Sequence, residues 1–195
     1  MRLFLLSPAN TSGPRGRLLL TSNGFDLARR LDSPEGVPIG EVFSFISGLY
    51  FRGKLTYVRA FAPESAYVIT PSRGLLHPDT PVTREVLHEF ASVPIDATEP
   101  RYREPLVRDL LTLACDPACE VVLLGSVASP KYVEPLLTHL GPRLLFPSTF
   151  VGRGDMSRGG VMLRAASARV ELEYQPVAGA VLRGKRPARL EPLRR

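Results

Sequence analysis

Short unbroken apolar runs alternate along the chain with longer stretches in which apolar residues recur every three or four positions. The runs read as buried strands and the stretches as amphipathic helices. Arg2–Leu6 is the first strand, followed by a polar loop and a short helix over Asp26–Leu31. From Ile39 to Ala62, Val42, Phe43, Ile46, Leu49, Tyr50, Leu55, Val58 and Phe61 keep helical spacing, with breaks expected at Gly48 and Gly53. The aromatics of this stretch belong to a core, except Tyr50 and Phe51 beside the second break, which are candidates for base stacking. Ala66–Thr70 is a second strand, rich in β-formers and closed by Pro71. Thr80 before Pro81 has the form of an N-cap and first-turn proline, opening a helix through Phe90. A further helix spans Glu104–Cys115, with Leu106, Val107, Leu110, Leu111 and Ala114 on one stripe.

Glu120–Leu124 is the clearest strand, because its Val-Val-Leu-Leu run has no polar face and fits a parallel sheet covered on both sides. Pro130–Leu140 reads as a helix, Arg143–Phe146 as a strand, and Asp155–Ala168 as a helix capped by Asp155. Arg169–Tyr174 and Ala178–Leu182 are expected to form a terminal hairpin or edge strands. The order predicts an α/β fold: a three-layer αβα sandwich with a mainly parallel central sheet, one domain over residues 1–182.

Charge changes this picture only at the end of the chain. Of a net +6, the segment 183–195 carries +5, from six bases against Glu191, and reads as a basic, flexible tail able to hold a phosphate backbone. The body is close to neutral. Of the 25 bases only Lys54, Lys131 and Lys185 are lysine, a bias read as codon composition. The longest apolar runs are far short of a membrane span, and Met1–Leu6 is too short for a secretory signal, so a cytoplasmic location is expected. Cys115 and Cys119 lack further ligands at metal spacing and the Cys-x-x-Cys spacing of thiol oxidoreductases, and read as free thiols. Neither cofactor nor metal is called for, and the oligomeric state stays open.

Ligands of open parallel sheets bind beyond the carboxyl ends of the strands. Four segments follow the expected strands there, each rich in hydroxyls, Gly and Pro. The first offers Ser7 and Asn10 to a ligand's polar edge, the second Ser72 and Arg73, and the third Ser129 and Lys131. In the fourth, Gly152-Arg-Gly-Asp155 precedes a helix, so that Gly152, Arg153, Asp155 and Arg158 could surround an anion with backbone N–H groups and guanidiniums. It matches neither the P-loop nor the full dinucleotide fingerprint. His77 with Asp79 is the candidate catalytic pair, an imidazole near neutral pH with a carboxylate to orient it. There is no Gly-x-Ser-x-Gly elbow and no His-Glu-x-x-His, which disfavours serine hydrolase and zinc protease readings.

Three strings carry a likeness: Ser7-Pro-Ala-Asn10; Gly48-Leu-Tyr-Phe-Arg-Gly-Lys54 with Tyr67-Val-Ile-Thr-Pro-Ser-Arg-Gly-Leu-Leu76; and Phe146-Pro through Gly-Arg-Gly-Asp155. Together they resemble the DUF6884-like uncharacterised bacterial proteins, with a Ser/Cys-bearing first loop, a Leu-Tyr-x-Gly helix and a Ser-x-x-Gly-Leu-Leu loop. The second loop is also similar to the uracil-DNA-glycosylase-like domain of archaeosine tRNA-modification proteins. The resemblance spans residues 1–160 and implies a uracil-glycosylase-like α/β sandwich with a nucleobase or nucleotide pocket. The chain departs from it in lacking the first-loop cysteine, the water-activating Asp and the His-Pro-Ser motif.

Two functions follow as expectations. One is a protein binding a nucleobase, nucleotide or nucleic-acid end at the rim, with glycosidase-like or nucleotide-modifying chemistry if it is an enzyme. The other is a non-catalytic nucleic-acid-binding or scaffold protein that uses the basic tail.

Overall fold

Leu3, Phe4, Leu5 and Leu6 leave the first strand no polar face, and the strand accordingly lies inside the sheet, buried from both sides. The computed structural model describes residues 1–188 and residue 190. Its first half comprises β1 (Arg2–Leu6), α1 (Pro14–Thr21), α2 (Asp26–Arg30), β2 (Val37–Pro38), α3 (Ile39–Ser47), α4 (Leu49–Phe61), β3 (Ala66–Ile69), β4 (Leu75–Leu76) and β5 (Pro81–Val82). There follow α5 (Arg84–Ser92), α6 (Pro100–Leu113), β6 (Glu120–Leu124), α7 (Pro130–Leu140), β7 (Leu144–Pro147), α8 (Asp155–Ala168) and β8 (Tyr174–Pro176).

The main sheet has the order β4-β3-β1-β6-β7-β8. The inner four strands are parallel, and β4 and β8 close the two edges antiparallel. Helices surround this sheet in a three-layer α/β sandwich, as the alternation of elements predicts. Among the described residues no helix is long and apolar enough to cross a membrane.

The differences from expectation have local causes. The stretch read as a polar loop after β1 contains α1, which has Pro14 at its start and buries only Gly16 and Leu19, too few to draw an apolar stripe. Pro81 opens no helix. Pro81–Val82 pairs antiparallel with Val37–Pro38, and α5 starts at Arg84 after Thr83. Helix α6 begins at Pro100, where the Glu99 carboxylate accepts from Arg101 N–H. At the other end of the chain, neither expected terminal strand forms as such: the observed strand is Tyr174–Pro176, which shares only Tyr174 with the first of them and docks on β7 with Phe146 opposite Gln175. Of the tail expected over 183–195, Arg189 and residues 191–195 lie outside the described residues. Residues 183–188 have no regular secondary structure.

Gly48 breaks the long helical stretch, with φ +62, whereas Gly53 does not: it lies inside α4, for a packing reason. A Cβ at Gly53 would stand 2.7 Å from the Gly159 carbonyl oxygen, and one at Gly159 would stand 2.7 Å from that of Leu49. The backbones of α4 and α8 therefore touch, and this crossing sets where Lys54 and Arg158 stand.

Candidate functional site

β1 and β6 are in register from Arg2–Glu120 to Leu6–Leu124, so Ser7 and Gly125 leave the sheet side by side at its carboxyl end. Ser7 N–H donates to Leu124 O at 3.3 Å, which fixes the serine backbone against β6. A Cβ at Gly125 would stand 2.9 Å from Ser7 Cβ and 3.1 Å from its Oγ, so glycine leaves the hydroxyl room. Beyond this point opens a cavity of about 560 Å³. The Ser7–Ser12 loop lines it, as do Tyr50 of α4, Phe90 of α5 and the Val93–Ile95 connection. Ser47, Ser126, Ser129, Lys131, Tyr132 and Asp155 complete the lining.

Behind Ser7 stands Lys54, 1% exposed. Its Nζ lies 2.7 Å from Ser7 Oγ and 2.9 Å from Ser7 O. It is also 3.9 Å from the centroid of the Tyr50 ring and 5.4 Å from that of Phe51. No carboxylate forms an ion pair with it among the described residues. Burial pushes the Lys54 ammonium down from the usual 10.5 to about 7, with Asp155 pulling upward and Arg158 adding to the fall. The Tyr50 hydroxyl is buried without a hydrogen-bond partner among the described residues, and burial raises its pKa, keeping the phenol protonated. A chargeable amine held against a hydroxyl that lines a cavity can exchange a proton with that hydroxyl.

Of the residues expected at the rim, Ser7, Asn10, Ser129, Lys131 and Asp155 do line this cavity. Asp155 is no cap: Gly154 holds that position, and the Asp155 carboxylate is free to face the cavity, 3.5 Å from Arg158 Nη1. Arg158 is buried, with its Nε donating to Phe150 O at 3.3 Å. Arg153 turns away, donating to Thr149 O and Ser157 Oγ, and lines a separate cleft with Met156 and Arg186. Gly152 is a turn with φ +70, pressed against the Lys185 backbone. The expected anion cradle therefore divides between two places.

Ser72 and Arg73 are also held apart from the cavity. Both bond Glu89, and the Arg73 guanidinium in turn holds the Glu89 carboxyl below its usual range. His77 and Asp79 sit farther away still, because the turn after β3 sends β4 back antiparallel and carries them toward the amino end of the parallel strands. There His77 Nε2 meets Pro63 O at 3.0 Å, and Asp79 pairs with Arg59 at 3.0 Å. Neither lines the cavity.

Lys54 is the residue that sequence reasoning missed. The signal was present twice: it interrupts the apolar stripe of Tyr50, Phe51, Leu55 and Val58, and it is one of three lysines in a chain that otherwise uses arginine. Two of those three stand at the cavity, Lys131 on its lining and Lys54 behind Ser7. Among the described residues there is no group of three His, Cys, Asp or Glu able to hold a metal ion. Comparison with protein-family models, curated proteins and solved structures yields no match for this chain.

Proposed function

We propose that the protein binds a nucleotide, free or at a nucleic-acid end, in the cavity beyond β1 and β6. The observation that carries this reading is one space of about 560 Å³ with aromatic walls, a hydroxyl-rich margin and the cation of Lys131. Its volume falls in the range of small-molecule sites. The rings of Tyr50, Phe90 and Tyr132 suit a flat heterocycle, and Ser7, Asn10 and Ser12 suit its polar edge. Lys131 makes no ion pair among the described residues and stands at the first turn of α7 beside Ser126 and Ser129, where a phosphate meets both a cation and backbone N–H groups. The resemblance of residues 1–160 to the DUF6884-like proteins, which implies a nucleobase or nucleotide pocket, is in keeping with this reading.

Calorimetry with the four ribonucleoside monophosphates tests the reading. At least one is expected to bind, and Lys131→Ala is expected to weaken it about tenfold, the loss of one charge-assisted contact. Replacing Arg183, Lys185 and Arg186 by Gln should leave that binding intact. Absence of any binding, or an affinity unmoved by Lys131→Ala, would refute it. Loss of binding with the tail charges alone would favour the non-catalytic, tail-based reading instead.

A further inference from the structure

We propose that Ser7 is a nucleophile with Lys54 as its general base, and that the cavity performs acyl transfer on an ester or amide carbonyl of its ligand through a Ser7 ester. This rests on the cavity being a ligand site and adds the chemistry done there. The missing Gly-x-Ser-x-Gly elbow excludes the strained strand-to-helix turn of one hydrolase fold, but a serine activated by lysine needs no such turn.

Three independent features carry the assignment. First, Ser7 lines the cavity although only 4% of its surface is exposed, which places it beside any ligand held there. Second, the Lys54 amine is enclosed and forms no ion pair with a carboxylate among the described residues; its hydrogen-bond partners are the hydroxyl and carbonyl of Ser7. A neutral amine there gives one N–H to Ser7 O and accepts the Ser7 O–H on its lone pair, which makes the oxygen nucleophilic. The charged groups that face it, Asp155 and Arg158 of α8, act in opposite directions. Third, Gly125 is the neighbour whose missing side chain leaves space at Ser7 Oγ.

In the step itself, the Ser7 proton passes to Lys54 Nζ as Oγ bonds to the carbonyl carbon. The tetrahedral adduct then breaks its bond to the leaving oxygen or nitrogen, which takes the proton from the Lys54 ammonium. A water attacks the Ser7 ester, its proton returning through Lys54 to Oγ, and the carboxylic acid departs.

A fluorophosphonate probe with intact-mass and peptide mapping tests this on the full chain. One adduct on Ser7 is expected, with a rate that rises with pH to a plateau through a midpoint near 7. Ser7→Ala should abolish it, and Lys54→Met should slow it at least a hundredfold while the melting temperature is kept. Should Lys54→Met fail to fold, the pH profile of the unaltered chain carries the test. No adduct, an adduct elsewhere, equal labelling of Lys54→Met, or a rate indifferent to pH would overturn the assignment. Protection by a nucleoside monophosphate separates the two readings: labelling without nucleotide binding leaves the pair and removes the nucleotide, and nucleotide binding without labelling does the reverse.

Discussion

One strand and one helix carry two polar clusters, and the clusters are built on opposite terms. At the amino end of β1, Arg2 lies between two carboxylates, 2.8 Å from Glu120 and 3.2 Å from Glu171, with its guanidinium over the Tyr174 ring. Tyr57 of α4 accepts from Leu172 N–H and shares a short hydrogen bond with Tyr174, which donates to Glu171. Every donor there has an acceptor, and the cluster ties the last strand to the sheet. At the carboxyl end, one turn of α4 away, Lys54 has a hydroxyl, a carbonyl and two rings, and no ion-paired carboxylate among the described residues. Matched charges hold structure, whereas an enclosed amine without a counter-ion costs stability and is retained where proton exchange is useful.

The largest blow to this contrast would come from the helix that both clusters share. Gly53→Val drives a side chain into the Gly159 carbonyl, and urea titration is expected to register a loss of about 4 kcal/mol, failing both ends together. Next comes Lys54→Met. Between about pH 7 and 10.5 the unfolded chain holds a proton on Lys54 that the folded chain has lost, so stability climbs with pH in that window, and below it the penalty is complete. The stability of the unaltered chain relative to Lys54→Met should therefore rise by about 2–3 kcal/mol from pH 7 to 9, as read by urea titrations at each pH. A flat difference would mean that Lys54 is charged in the fold. The smallest effect belongs to the matched end: Tyr174→Phe removes the hydroxyl between Tyr57 and Glu171 for about 1–2 kcal/mol. That loss should be the same at pH 7 and 9 and leave fluorophosphonate labelling unchanged.

Which parts of this were legible in the chain follows from what each depends on. β1 and β6 could be read directly, because strands covered on both faces have no polar positions to blur them. Ser7 followed from β1, as the first residue past a central strand. The rim was misread where topology rather than pattern decides: two leucines, Leu75 and Leu76, turn β4 antiparallel and take His77 to the other end of the sheet. Gly53 reads as a helix breaker in the sequence because its partner, Gly159, lies 106 residues away. Lys54 went unread for a related reason. A single cation in an apolar stripe acquires meaning only when the neighbour across the interface is known to be a serine.

The sheet also imposes an order of events on the growing polypeptide. β1 is synthesised first and lies between β3 and β6, and its Arg2 meets Glu120 across 118 residues. A strand of four bulky apolar residues must therefore leave the ribosome and wait, unpaired on one edge, until more than half of the chain has followed. That interval is when aggregation competes with folding.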